Sequence, residues 1–256
     1  MAPQAPQVKP KSSAPIFIIG GVLIAVVLVG WYLISNRTPT TGNNNARPTA
    51  GNTNKPPVNP ATAPAGAMPT LYAAGGQNAA VVVEEFADFQ CAACAGANPV
   101  MNEIKSMYGS RIKFVFRNFP LSIPAHDKAY DAAVAVEAAG MQNKFWEFQS
   151  QLFNNQKDWS SSPNYRQMWS DYAKNLGLNV DKFTTDMAGL ATKGRVNDDM
   201  ARGRGLGVSS TPSVFINGVL VDFNSMTVSG LKTAIDAELA KGSAPSAPAS
   251  ASPASK

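Results

Sequence analysis

Two residues carry the clearest chemistry in this chain. Cys91 and Cys94 stand as Cys91-Ala92-Ala93-Cys94 and are the 2 cysteines of a 256-residue sequence. Such a pair can be half of a zinc site, a c-type haem attachment, a short structural disulfide or a redox couple. The second half of a zinc site is missing, and Cys94 is followed by Ala95 rather than by histidine. A bridge across so short a loop removes little unfolded-state entropy and makes a poor staple. The surroundings favour the redox couple, because the pair follows a stretch that reads as a strand and opens one that reads as a helix. At a helix N-terminus the unpaired N–H groups and the dipole stabilise a thiolate. That position makes Cys91 the nucleophile. Cys94, one turn in on the same side, is then the resolving thiol.

Elements must hold such a pair in place. Residues 80–87 (AVVVEEFA) are apolar and β-branched, the pattern of a buried strand. Residues 91–109 read as a helix, and residues 111–119 (RIKFVFRNF) alternate with the period of a strand. Helices are predicted over 127–139, 143–153, 164–176, 180–187 and 190–202. Trp146, Phe148, Trp159 and Trp169 read as core rather than as a cofactor box. Residues 213–216 read as a short strand, Asn217-Gly218 as a hairpin turn, residues 219–222 as the return strand and residues 228–240 as a closing helix. The order predicts an α/β sheet with a helical insertion between its second and third strands.

Composition sets the boundaries. All 17 acidic residues and 16 of the 22 basic ones lie between Thr70 and Lys241. The net +5 therefore comes from Lys9, Lys11, Arg37, Arg47, Lys55 and Lys256. A basic face on the folded part is absent, so nucleic acid is not an expected partner. One histidine, His126, excludes a multi-His metal centre, and no metal is expected. Glu84 and Asp88 read as a solvated rim. Lys193, Arg195, Arg202 and Arg204, interrupted by Asp198 and Asp199, read as a mixed solvated helix face. The GRGLG run at Gly203 follows no strand and is not read as a phosphate loop.

The reading divides the chain into five segments. Residues 1–14 form a short polar segment. Residues 15–35 contain the uncharged run IFIIGGVLIAVVLVGWYLI, about 28 Å long as a helix and close to the hydrocarbon thickness. It reads as an uncleaved transmembrane anchor with Trp31 and Tyr32 near one interface. Lys9 and Lys11 favour an N-terminus on the inside. Residues 36–69 hold no acid and no aromatic side chain and read as a disordered linker. Residues 70–241 are the globular domain, with the insertion at about 124–205. Residues 242–256 read as a low-complexity tail.

Four separated runs then resemble one family in order: VVVEEFADFQCAAC, FRNFPL, FWEFQSQLFNNQKDW and GVSSTPSVFING. They are similar to the DsbA-type branch of the thioredoxin superfamily, and the resemblance covers essentially the whole globular domain. It implies a thioredoxin-like fold with an inserted helical subdomain and thiol–disulfide exchange as the activity. Cys91 matches the attacking cysteine and Cys94 its partner. Glu85 matches a buried acid beneath the active site that assists proton transfer. Thr211-Pro212 matches a cis-proline loop facing the cysteines, where an extended substrate peptide pairs. Pro99 matches the proline that kinks the active-site helix. His126 is weighed as a surface or capping residue rather than as part of the chemistry. The Ala92-Ala93 dipeptide departs from relatives that carry Pro-His there, so a less acidic Cys91 and a less oxidising disulfide are expected than in those relatives.

The resemblance implies a membrane-anchored, monomeric oxidoreductase acting outside the cytoplasmic membrane, in a periplasm or extracellular space. Its only cofactor is its own redox-active Cys91–Cys94 disulfide. Its partners are cysteine-containing exported proteins and a membrane redox partner, either quinone-linked or electron-supplying. An oxidase is expected first and a reductase second. A tethered peptide-binding module or holdase without redox turnover is the alternative from another class.

Overall fold

The computed structural model describes residues 62–67 and 73–242. The membrane span read at residues 15–35, most of the linker and the tail after residue 242 lie outside them. Among the described residues, no helix is long and apolar enough to cross a membrane.

Five strands build one mixed sheet in the order β1-β3-β2-β4-β5. They are β1 (Ala74–Gly75), β2 (Val81–Ala87), β3 (Ile112–Asn118), β4 (Ser213–Ile216) and β5 (Val219–Leu220). α1 (Ala92–Tyr108) carries the chain from β2 to the parallel β3. The insertion between β3 and β4 holds α2 (Ala129–Gly140), α3 (Phe145–Asn154), α4 (Gln156–Ser161), α5 (Tyr165–Asn175), α6 (Val180–Ala188) and α7 (Leu190–Gly205). α8 (Val228–Gly242) closes the described chain. β1 and α4 are additions to the elements expected from the sequence. β1 is a two-residue strand and α4 a six-residue helix, and neither is long enough to display a period.

β2 is buried along nearly its whole length because helices cover both of its faces. On one face Val81 and Val83 pack with Met101 and Ile104 of α1 and with Leu231 and Ile235 of α8. On the other, Phe86 meets Phe119 and Phe215 edge-on. The glycine run at the end of α7 is a packing device on this second face. A Cβ on Gly203 would lie 2.5 Å from the Phe119 ring, so the helix backbone rests against the aromatic cluster only because glycine stands there. Of the tryptophans expected in the core, Trp159 and Trp169 are fully buried and meet edge-on, and Trp146 is partly buried against it.

Two expectations about charge and order are corrected on the α7 face. Glu84 is a buried residue, not a rim, and Arg202 and Asp199 belong to a buried network rather than to a solvated helix face. Arg117 of β3 donates to Glu84 at 2.6 Å and to Asp199 at 2.9 Å. Arg202 adds a two-pronged contact to Glu84. Burial pushes the Glu84 carboxyl up, but the Arg202 hydrogen bond and the Arg117 charge leave it below its ordinary value. The same arginines capture residues 62–67, which were read as the end of the linker. Arg117 donates to the carbonyls of Ala67 (2.6 Å) and Ala65 (3.1 Å), and Arg202 donates to that of Pro64 (3.0 Å). The Ala67 N–H returns a bond to Asp199 at 3.0 Å. Composition cannot reveal this strap, because its side chains are small and its backbone carbonyls make the contacts.

Gly66 has φ +76°, and a Cβ there would lie 2.6 Å from the Arg117 guanidinium. We expect Gly66→Ala to cost about 1–2 kcal/mol in a urea titration by releasing the strap. Glu84→Gln should cost more, about 3 kcal/mol, because it leaves two guanidinium groups short of their anion. Unchanged urea midpoints would show that neither the strap nor the network is stabilising.

Candidate active site

The pair sits where β2 gives way to α1. Cys91 is the N-cap of α1, with extended backbone (φ −74°, ψ 118°), and its carbonyl accepts the Ala95 N–H at 3.1 Å. Cys94 lies in the first turn and is fully buried, while Cys91 is half-buried and Ala92 and Ala93 are exposed. Both cysteines are free thiols. The first turn of α1 carries no acidic residue, so nothing there opposes negative charge at its N-terminus. Pro99 lies inside α1, as the resemblance implies.

The two thiols are pushed in opposite directions. The Cys94 side chain donates a hydrogen bond to the Cys91 sulfur, and the N–H groups of Cys94 and Ala93 also point at it. Together with the Thr211 side chain they outweigh burial and hold the Cys91 thiol at about 5. The Ala92-Ala93 dipeptide thus contributes through its backbone. Burial drives the Cys94 thiol well above its ordinary value, and its bond to Cys91 pushes the same way. One sulfur is poised as a thiolate and the other as a thiol.

The remaining expected residues fall around this pair. The Thr211–Pro212 peptide is cis, and the Cys91 thiol lies 3.4 Å from the Thr211 carbonyl oxygen. The Thr211 hydroxyl is buried beside the pair and lowers both thiols. Beside Pro212 opens a cavity of about 400 Å³ lined by Leu220, Val221, Phe223 and Met226 among others. Glu85 is buried on β2 opposite Val214 of β4, and its Oε2 has no hydrogen-bond partner. Burial pushes its carboxyl up to about 7, against the pull of the Lys105 cation. Lys105 itself is pushed down to about 8 by burial, with its Nζ 4.0 Å from the centre of the Trp146 ring. None of the hydrogen bonds among the described residues joins Glu85 directly to either sulfur.

Three residues of the site were missed or misplaced by the sequence reading. Asp88, expected on a solvated rim, is buried, and its carboxylate accepts from the Gln90 N–H, the Leu121 N–H and His126 Nδ1, each at 2.7 Å. Its backbone touches both cysteines, accepting the Cys91 N–H at 3.1 Å and donating toward Cys94 Sγ at 3.5 Å. His126, read as a surface or capping residue, is therefore tied to the turn that carries the pair. Gln156 of α4 donates to the carbonyls of Phe89 (2.7 Å) and Cys91 (2.9 Å). Asp88, three residues before Cys91, was visible in the sequence. Its partners Leu121 and His126, 33 and 38 positions away, were not.

The comparisons agree with this geometry. A family model described as Thioredoxin matches residues 68–237. The chain is 36% identical over 147 residues to the Na(+)/H(+) antiporter NhaA 1 of Mycolicibacterium vanbaalenii, covering 57% of this chain and 23% of that protein. It is 31% identical over 144 residues to the Na(+)/H(+) antiporter NhaA of Herminiimonas arsenicoxydans, covering 56% and 22% respectively. The chain thus spans less than a quarter of the length of these curated relatives. Among solved structures, a thioredoxin-like oxidoreductase from Silicibacter pomeroyi DSS-3 aligns with TM-score 0.56 and 25% identity over 67% of this chain and 92% of that one. BdbD from Bacillus subtilis aligns with TM-score 0.60 and 20% identity over 70% and 98%. The thiol-disulfide exchange protein alpha-DsbA2 from Wolbachia pipientis aligns with TM-score 0.54 and 21% identity over 64% and 85%. The fold of this chain is that of DsbA-type thioredoxin-fold proteins, with the helical insertion in place.

Two titrations test the electrostatics. The ultraviolet absorbance of the Cys91 thiolate should appear with a midpoint near 5, and Cys94→Ala should move it upward by removing the leading hydrogen-bond donor. A midpoint that ignores Cys94→Ala would refute that assignment. For Glu85 the folded protein holds its proton more tightly than the unfolded chain, between the ordinary 4.5 and about 7. Stability therefore falls as pH rises through that window. Glu85→Gln should flatten the fall, its advantage over the native chain growing across the window by about 1–3 kcal/mol. Glu137, also raised to about 7, supplies a fall that remains. Parallel stability profiles for the two proteins would contradict a raised Glu85.

Proposed function

The chain belongs to the thioredoxin family, and from that premise we propose that it is a thiol–disulfide oxidoreductase that forms disulfides in exported proteins. The observation that carries the reading is the opposed state of the two thiols, with Cys91 held at about 5 while burial raises Cys94. A stabilised thiolate stabilises the reduced form, and a stable reduced form makes the disulfide a better oxidant.

In the oxidase direction a substrate thiolate attacks Cys91 Sγ of the disulfide. The substrate–Cys91 bond forms, the Cys91–Cys94 bond breaks, and the electron pair passes to Cys94. A second substrate thiolate then attacks the substrate sulfur of the mixed disulfide and releases Cys91 as a thiolate. The substrate has lost two electrons and the enzyme has gained them, and a membrane redox partner linked to quinone takes them on. An extended substrate segment would lie along the Thr211–Pro212 edge, where the Thr211 carbonyl already faces Cys91. Glu85, raised to about 7, would accept and return a proton beneath the pair.

Action outside the cytoplasmic membrane is supported by the uncharged run at residues 15–35 and by two disulfide-competent cysteines. That the relatives sharing this domain are named as sodium/proton antiporters, which are membrane proteins, points the same way. A reductase of the same site is the second reading, favoured by exposed Ala92 and Ala93 side chains that offer no donor to the thiolate.

The test is the redox state of the pair in growing cells, trapped with acid and then tagged with a thiol-specific mass reagent. A mostly disulfide pair is expected. A mostly dithiol pair would overturn the oxidase direction in favour of the reductase. Cysteines that resist both glutathione and oxidised glutathione in the purified protein would overturn the redox reading and leave peptide binding alone. Cys94→Ala should trap mixed disulfides with client proteins, whereas Cys91→Ala should trap none.

A further inference from the structure

We infer that His126 is a positioning residue of the redox centre: it holds the Asp88 carboxylate so that the Asp88 peptide N–H stays aimed at Cys94 Sγ, where the electron pair arrives when Cys91 is attacked. The inference deepens the oxidoreductase reading and rests on it. It starts from the connection between the only histidine of the chain and the buried sulfur. His126 stands on the short 3₁₀ turn Pro124–His126, and its side chain is 13% exposed. Its Nδ1 lies 2.7 Å from Asp88 Oδ2, and the Asp88 side chain is wholly shielded from solvent. The Asp88 N–H lies 3.5 Å from Cys94 Sγ.

The geometry makes the Asp88 residue the common support of both sulfurs. Its carbonyl fixes the Cys91 N–H, its N–H faces Cys94, and its carboxylate is gripped from two sides. The Gln90 N–H grips it from its own turn, and the Leu121 N–H and His126 grip it from the segment after β3. Removing one grip loosens the Asp88 side chain and with it the turn that aims the N–H, whose peptide is also held by the Phe119 N–H on the Ala87 carbonyl at 2.8 Å. Cys94 is the sulfur that needs that N–H most. Attack on Cys91 by a thiolate forms a new sulfur–sulfur bond, breaks the Cys91–Cys94 bond and delivers the electron pair to Cys94 in a site with no access to water. A leaving thiolate departs faster when a donor meets it. His126 is thus expected to act on the step in which Cys94 leaves, while Cys91 keeps its own donors, the Ala93 and Cys94 N–H groups.

The experiment compares the full-length native chain with His126→Ala and His126→Asn. Each is oxidised first, and its disulfide is then reduced by excess reduced glutathione while the rate is followed. Asparagine is the rescue variant, since its side-chain amide can donate to Asp88 Oδ2 from nearly the place of Nδ1. His126→Ala should slow the reduction by about tenfold, the scale of one hydrogen bond to a charged group. His126→Asn should return to within about twofold of native, and the Cys91 thiolate titration should not move in either. A melting temperature alone would report only a structural role and does not bear on the outcome. The inference is overturned if His126→Ala reacts as fast as the native chain, or if His126→Asn is as slow as His126→Ala. Should His126→Ala fail to fold, His126→Phe keeps a ring without a donor, and its rate against His126→Asn decides in the same way. A native chain that glutathione cannot reduce would overturn the oxidoreductase reading itself, an outcome distinct from these.

Discussion

Three carboxylates buried within five residues set the terms for this fold. Glu84, Glu85 and Asp88 lie on β2 and the turn after it, and none is more than 5% exposed. A buried carboxylate is costly unless charges or donors surround it. The chain meets that cost in three different ways. Glu84 receives two guanidinium groups, and its carboxyl falls below its ordinary value. Asp88 receives two backbone N–H groups and a histidine nitrogen. Glu85 receives neither, keeps one oxygen without a partner and is raised to about 7. The different surroundings turn three adjacent acids into a structural clamp, the fixture of the active-site turn and a group that can exchange a proton near neutral pH.

The same logic separates the two cysteines. They are three residues apart on one helix turn, and sequence alone gives them nearly equal claims. What distinguishes them is depth. Cys91 at the N-cap keeps access to solvent and faces the ends of several N–H groups, whereas Cys94 is sealed beneath it. Charge on the outer sulfur is cheap and charge on the inner one is expensive. A substrate therefore meets a reactive atom at the surface, and the strain of carrying charge falls on an atom that water cannot reach. Any group that eases charge on the inner sulfur then acts directly on turnover, and the Asp88 N–H, 3.5 Å from it, is such a group.

Much of this was legible in the residues, and what was not has a physical cause. The Cys-x-x-Cys pair, the buried β2 run and the period-two β3 each announce themselves through local pattern, and the cis-proline loop through resemblance to a known family. Glu85 was found because it lies at a fixed distance from Cys91 in a run resembling a known family. Asp88 was in view at the same time but was assigned to a rim, since an acid near a turn is normally solvated. Its burial depends on Leu121 and His126, brought back by the far end of β3, and no local window contains them. Asp199 and Arg202 failed for the same reason. Each looks like a surface charge until the partner from another element is placed. The strap at residues 62–67 fails differently, because backbone carbonyls have no signature in a sequence.

The inserted helices change meaning once Gln156 is included. From the order of elements, the insertion looks like an appendage between two strands of a complete sheet. Yet Gln156 reaches 65 positions back to the Cys91 carbonyl and binds the Phe89 carbonyl beside it. Phe89 in turn stacks on Phe116 of β3 and packs on Phe153 of α3. Cys94 is buried in the same cluster, among Ala135, Phe148 and Trp159. The sealed side of the redox pair is therefore shared between the insertion and Ala87, Phe89 and Phe116 from β2, the turn after it and β3, and the cis-proline loop faces Cys91. The insertion thus contributes to the burial that raises Cys94, while the donors that lower Cys91 come from the start of α1 and the Thr211–Pro212 loop.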